Sequence, residues 1–313
     1  MATKIQRRAF SIKLKHDPTF WACYPHPRFP TLSITGGECV LNCKHCGGHY
    51  LKHMLSCSSP SVLFRTCLNL AANGARGVLL SGGYNEEGWV PLEGFIDTIA
   101  SVKRETGLFF NVHTGLVPPS LAKELGKAGV DMASVDLIGA NETIEHVLGI
   151  QRTTKDYEQT LKVLVGSIPR VVPHICIGLH GGQIKGEFRA LEMAADIDIA
   201  ALVFLSLIPT KGTAFEDVET PTPPVVGELI AEARLNFPKI PLTLGCMRPR
   251  SGGRIETELQ ALKSGVDRIE VPSAETIRAA EKMGLEVKRL NACCAVPAEG
   301  KFVSSVKQNL SPS

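Results

Sequence analysis

Three cysteines fall close together in the stretch Gly36-Gly37-Glu38-Cys39-Val40-Leu41-Asn42-Cys43-Lys44-His45-Cys46-Gly47-Gly48, at spacings of four and three residues. Thiolates so spaced, on a loop flanked by glycines, can converge on one face of a [4Fe–4S] cube, and the glycines let the backbone approach it closely. Three protein ligands for four irons leave one iron open. Zinc is the competing chemistry, because His45 or His49 could complete a Cys3His set. The place of the loop favours the cluster, since it follows directly on the first of a series of strand patterns.

That series runs from about residue 31 to 285, where short apolar, β-branched runs alternate with longer helical patterns. The runs predict strands at 31–35, 77–81, 108–113, 131–137, 171–178, 201–207, 240–245 and 267–271. Helices are expected at 59–73, 91–106, 118–128, 155–168, 186–197, 222–236, 253–264 and 273–284. Ser59-Pro60, Pro118-Pro119-Ser120 and Ser273-Ala274-Glu275 place a cap or proline at a first turn, while Asn73-Gly74 and Ala128-Gly129 end helices. Eight strand–helix units in about 255 residues are the arithmetic of an α/β fold of the (β/α)8 TIM-barrel type. A doubly wound open sheet would interrupt the alternation or insert a second domain. The expected organisation is an N-terminal extension (1–30), a barrel (31–285) and a C-terminal tail (286–313) whose polar end, Ser304 to Ser313, is frayed. Chemistry is then expected just after each strand, at the carboxyl face of the barrel.

CxxxCxxC after the first barrel strand resembles the signature of the radical S-adenosylmethionine (SAM) superfamily, and within it the biotin-synthase-like group. The resemblance extends to Asp136 in Ala133-Ser134-Val135-Asp136-Leu137, to Gln151-Arg152-Thr153-Thr154, and to Lys211-Gly212-Thr213 after the sixth strand. It implies that Cys39, Cys43 and Cys46 hold a [4Fe–4S] cluster whose open iron chelates the amino and carboxylate groups of SAM. One electron then splits SAM into a 5′-deoxyadenosyl radical that abstracts hydrogen from an unactivated C–H bond. It further implies a ribose contact at Asp136, backbone groups for the methionyl amine at Gly82 and Gly83, closeness to adenine at Gly178, and a SAM-bordering turn at Lys211. His45 stands where the group usually carries Tyr or Phe and could stack near adenine. Each of these residues also has a plainer reading, as a strand-end acid or as turn chemistry.

Departures from the group are also legible. Tyr84 replaces a usual acidic residue, with Glu86 and Glu87 close behind. Biotin synthase holds an auxiliary cluster through three cysteines and an arginine, whereas this chain has Leu80 and Asn111 on strands two and three, keeping only Cys176 and Arg248. A reaction other than biotin synthesis is expected.

Ten cysteines are many for 313 residues. Cys67 sits on a helical pattern and reads as core. Cys23, Cys246, Cys293 and Cys294 can be assembled into a second [4Fe–4S] cluster at the barrel mouth, with Cys246 closing strand seven and the tail folding back across it. The plainer reading makes Cys246 core and the Cys-Cys pair incidental. A second cluster would supply sulfur, and the resemblance then points to one component of the two-protein (split) lipoyl synthase. Its expected partners are a lipoyl-carrier protein or octanoyl-lysine peptide, a paired radical SAM subunit and an external reductant. Methyl transfer, rearrangement or ring formation on a small molecule is the alternative; a non-catalytic electron-transfer protein would have no use for the SAM residues.

Composition bounds these readings. With 44% hydrophobic and 21% charged residues the chain is an ordinary globular one. A formal charge of +3 without a Lys/Arg block gives no reason to expect nucleic acid. The basic start, Lys4 to Arg8, precedes no long apolar run, so neither a signal peptide nor a membrane anchor is expected. Cysteines in such a chain are expected to stay reduced in the cytoplasm, free for ligation rather than disulfides.

Overall fold

The computed structural model describes residues 2–303, so the expectation for Ser304 to Ser313 lies outside the described residues. Its strands are β1 (Thr19–Cys23), β2 (Thr31–Ser33), β3 (Leu55–Ser56), β4 (Gly77–Ser81), β5 (Phe109–His113), β6 (Met132–Asp136), β7 (Val171–Ile177), β8 (Leu202–Ser206), β9 (Leu242–Leu244), β10 (Arg268–Glu270) and β11 (Glu286–Leu290). The helices are α1 (Lys4–His16), α2 (Pro60–Ala72), α3 (Ile96–Thr106), α4 (Pro119–Lys127), α5 (Asn141–Thr143), α6 (Thr154–Val165), α7 (Glu187–Ala195), α8 (Pro223–Asn236), α9 (Arg254–Lys263) and α10 (Ala274–Lys282). Every expected strand and helix is present within a few residues. Caps explain the starts: Ser59 Oγ accepts from Val62 N–H at 3.3 Å, and Ser273 Oγ accepts from Thr276 N–H at 3.1 Å.

All strand pairs are parallel, in the order β11-β1-β10-β9-β8-β7-β6-β5-β4-β2-β3. The fold is therefore α/β with a parallel sheet, but the closed eight-stranded ring needs correction. Closure would require β2 to pair with β10. Instead β2 gives its outer edge to β3, and β10 gives its own to β1, so among the described residues the ladder has two ends. The residues before β2 supply α1 and β1, and those after α10 supply β11, which pairs with β1.

Helix α1 buries Gln6, Ala9 and Lys13, a face with no apolar stripe. Polar contacts fix it: Gln6 Nε2 donates to Gln260 Oε1 at 2.7 Å, and Lys13 Nζ lies 2.6 Å from Asp267 Oδ1. Between sheet and helices lies the larger apolar core, with Leu32, Leu80, Phe110, Ile175 and Phe204 all but fully buried. A smaller one joins Phe29, Phe109, Met132 and Val172 to the tail residues Val296 and Phe302. The Phe302 ring meets Phe109 edge-on at 5.3 Å and Phe29 at 6.1 Å. Because side chains alternate along a strand, Phe109 shares its face of β5 with Asn111 and His113, Met132 its face of β6 with Ser134 and Asp136, and Val172 its face of β7 with His174 and Cys176. The inner face thus passes from apolar near the strands' amino ends to polar near their carboxyl ends. No described helix is long and apolar enough to cross a membrane.

Candidate functional site

The cysteine loop leaves the carboxyl end of β2. Asn42, Gly47 and Gly48 adopt positive φ of 46°, 49° and 71°, which coils the loop tightly. The backbone ties it to its surroundings: Val40 N–H donates to Tyr84 O at 3.0 Å, Lys44 N–H to Val147 O at 3.0 Å, and Phe215 N–H to Lys44 O at 3.1 Å. Gly83 passes so near that a Cβ there would stand 2.0 Å from Glu38 O and 2.5 Å from Cys39 Cα. The next amide, of Tyr84, donates to Cys39 Sγ at 3.4 Å. The Cys43 thiol donates to Cys46, which pushes Cys43 well above the ordinary thiol range and brings Cys46 down to about 4, with His45 also bonding the Cys46 sulfur. Burial pulls His45 down, but the bond to Cys46 and its charge hold the imidazole above its ordinary pKa. Its Nδ1 is buried without a partner.

The SAM candidates lie around this loop to different degrees. Asp136 ends β6, and its Oδ2 accepts from Tyr84 Oη at 3.3 Å, so the residue in place of the usual acid is bonded to one. Gly82 packs against Ile34, Thr35 and Val90, and the Gly83 amide donates to Thr35 Oγ1 at 2.7 Å. Lys211 is exposed on its turn, while Thr213 of that turn approaches Gly47. Gly178 has φ of 76° and lies under Pro221, and its amide donates to Glu187 Oε1 at 2.7 Å, which gives this glycine turn and packing duties. The same turn carries His180, whose ring lies 5.0 Å from His146, and the Lys44 ammonium donates to His146 Nδ1 at 3.2 Å.

A second group forms at the opposite end of the sheet. Cys23 closes β1, Cys246 follows β9, and Cys293-Cys294 follows β11; these strands lie within one run of four neighbours. Cys293 acts on the charge of Cys23 and Cys246, and Cys294 feels both of them as well as Cys293. Cys294 donates to Cys293, lowering Cys293 and raising itself, while burial pushes Cys23 up despite Arg268 nearby. Arg268 Nη1 donates to the carbonyls of Val296 at 2.8 Å and Cys294 at 3.3 Å. Arg268 Nε is a buried donor with no partner, and the Asn111 carboxamide bonds Cys293. Cys176 stands apart, with Cys46 and Asp136 among its charged neighbours. Arg248 is fully buried and committed to Gly245 O at 2.6 Å, Glu258 Oε1 at 2.7 Å and Glu270 O at 2.8 Å, a brace beneath Cys246. Cys57 and Cys67 are both core residues.

No protein-family model matches the chain. The biotin synthase of Geotalea daltonii is 26% identical over 246 residues, 75% of this chain and 70% of that one. That of Marinobacter nauticus is 25% identical over 245 residues, 74% of this chain and 65% of that one. Among solved structures, methylornithine synthase superposes with a TM-score of 0.63 at 16% identity, covering 92% and 91% of the two chains. The [FeFe]-hydrogenase maturase HydG from Carboxydothermus hydrogenoformans gives 0.66 at 13%, covering 92% and 72%. The chain is biotin-synthase-like in sequence and shares its fold with methylornithine synthase and HydG. Its kinship implies a [4Fe–4S] cluster and SAM as cofactors, and leaves room for a second cluster.

The Cys39–Cys46 loop suits such a cluster. Its donor set is three thiols, one already driven to thiolate, with an amide N–H aimed at a sulfur and a glycine where any side chain would collide. The second group suits one as well, because a buried Arg268 Nε–H without a partner lies near Cys23, and the Asn111 carboxamide bonds Cys293. Sequence reading missed His113 and His174, which stand beside Asp136 on the inner face. The signal was available in the alternation of β5 and β7.

Proposed function

We propose that this radical SAM enzyme inserts sulfur, with Cys39, Cys43 and Cys46 holding the SAM-cleaving cluster and Cys23, Cys246, Cys293 and Cys294 holding a second. The convergence of four cysteines from β1, β9 and the tail supports this most, since a sulfur-inserting reaction needs a sulfur source that SAM lacks. When bound, the first cluster supplies the electron that cleaves SAM to the 5′-deoxyadenosyl radical. The chain's own residues bind and shield. Asp136 accepts hydrogen bonds from the ribose, with Tyr84 fixing its carboxylate. Gly82 and Gly83 present backbone to the methionyl amine, and His45 holds Cys46 ionised or stacks by adenine. The Gly178 and Lys211 turns border SAM. The tail packs Phe302 and Val296 on the amino-end part of the inner face, which closes the interior to water from that side.

The substrate proposed is an octanoyl chain on a lipoyl-carrier protein or octanoyl-lysine peptide, with a paired radical SAM subunit and an external reductant, in the cytoplasm. A second reading, chemistry on a polar small molecule, is favoured by one observation: the inner wall carries Asn111, His113, Ser134, Asp136 and His174 rather than an apolar lining. Iron and sulfide counting with Mössbauer spectroscopy on the variant lacking Cys39, Cys43 and Cys46 tests the second site. About four retained irons are expected; none after anaerobic reconstitution removes the sulfur-insertion reading.

A further inference from the structure

Three adjacent strands bring together two imidazoles and a carboxylate that the SAM reading does not require as a set. Asp136 of β6 pairs in register with His174 of β7, and His113 of β5 pairs with Ser134, the previous inward residue of β6. His113 Nε2 lies 3.4 Å from His174 Nδ1 and 3.8 Å from Asp136 Oδ1, and one ligand atom from each residue falls within 4.8 Å of the other two. Neither contact is a good hydrogen bond, for which about 2.7–3.2 Å is normal. Both are near the spacing of ligands on one ion: atoms about 2.0–2.2 Å from a metal at tetrahedral angles stand roughly 3.3–3.6 Å apart.

We propose that His113, Asp136 and His174 bind a divalent first-row transition ion. Two imidazoles and one carboxylate on one side of an ion leave positions open for an oxygen-bearing group of a substrate. The rest of the wall agrees. Tyr84 Oη occupies Oδ2 of Asp136, which leaves Oδ1 turned to His113. His174 turns its Nδ1 to this group, and with Nε2 unpartnered the long contact to His113 is the hydrogen bond recorded for this imidazole among the described residues. His113 and Asp136 keep 20% and 40% of their side-chain surface, enough for an ion to enter from the carboxyl face. The site shares Asp136 with the ribose contact but does not rest on SAM binding or on either cluster.

The probe is Mn(II), which oxygen and nitrogen ligands hold and thiolates do not select, added to the anaerobic, cluster-loaded protein. Oxidised [4Fe–4S] clusters are diamagnetic, so the Mn(II) resonance stays readable. The expected result is about one bound Mn(II) per chain, with imidazole-nitrogen modulation of its electron spin echo, and affinity about tenfold or more weaker in His113→Gln and in His174→Gln. Unchanged cluster absorbance and SAM cleavage in those variants report folding and the radical SAM reading separately. Mn(II) held without nitrogen modulation, or held equally by both variants, overturns the site.

Discussion

The two cysteine groups solve one problem in opposite ways. Cys39, Cys43 and Cys46 lie on a single coiled loop, whereas Cys23, Cys246, Cys293 and Cys294 come from both ends of the chain and from the seventh strand–helix unit. The first group is made by local backbone geometry, with positive φ at Asn42, Gly47 and Gly48. The second exists only because β1 and β11 join the sheet beside β10, carrying residues 23 and 293–294 to the end of β9. In both, neighbouring cysteines share a proton, Cys43 with Cys46 and Cys294 with Cys293. Their surroundings differ: the Gly48 amide and the His45 imidazole attend the first pair, the Asn111 carboxamide the second. A locally encoded group should survive damage to the sheet's far edge; an assembled one should not.

Arg248→Met should break the comparison most. It takes from fully buried Glu258 its one fully buried guanidinium and leaves only the partly exposed Arg254 at 3.0 Å, so the loss approaches that of a broken buried pair, about 3–5 kcal/mol. Thermal melts should show that loss, and the second group should fail to bind iron while the Cys39–Cys46 loop still loads. The same pair makes the far edge acid-sensitive. Although burial raises Glu258, its bonds to Arg248, Ser273 and Thr276 bring it down to about 2. A depressed carboxylate contributes stability above its unfolded pKa, near 4.3, and loses it as pH falls towards 2. Acid titration of Glu258→Gln should show less of that loss than the native chain.

Asp136→Asn sharpens the other side. A lost charge-assisted hydrogen bond is worth roughly 1.5–3 kcal/mol, so SAM affinity should fall by about ten- to a hundredfold with iron content unchanged. Equilibrium binding checks this, and an unaltered affinity would put Asp136 outside the pocket. The smallest effect is chemical. In cluster-free protein Cys46, held at about 4, should react with iodoacetamide at pH near 6, where a thiol of ordinary pKa, about 8.5, is protonated. Peptide mapping should find Cys46 labelled and Cys43 spared; equal labelling would contradict the shared proton.

What was legible in the sequence follows the same division. The apolar runs marked β2 and the strands from β4 to β10 because each is largely buried on the sheet, while the exposed two-residue β3 carried no such run, and caps such as Ser59 and Ser273 marked the helices. Helix α1 was illegible because its buried face is Gln6, Ala9 and Lys13, stabilised by partners more than two hundred residues away. Ring closure was misread because alternation fixes neighbours within the series and says nothing about what pairs at its ends, where β3 and β1 intervene. The loop cysteines could be named from their spacing together with the loop's place after the first strand of the series. The remote set could be named only from their places at strand ends. His113 and His174 went unread although the alternation of β5 and β7 sets them on one face with Asn111 and Cys176.

The central claim is that the Cys39–Cys46 loop carries the SAM-cleaving cluster. The most direct test incubates anaerobically reconstituted, dithionite-reduced protein with SAM and measures 5′-deoxyadenosine, beside the variant with Cys39, Cys43 and Cys46 replaced by Ala. The account predicts steady 5′-deoxyadenosine from the native chain and none from the variant, even where the variant keeps iron at its second site. Production by the triple variant, or none from a native chain loaded with about four irons or more, would contradict it.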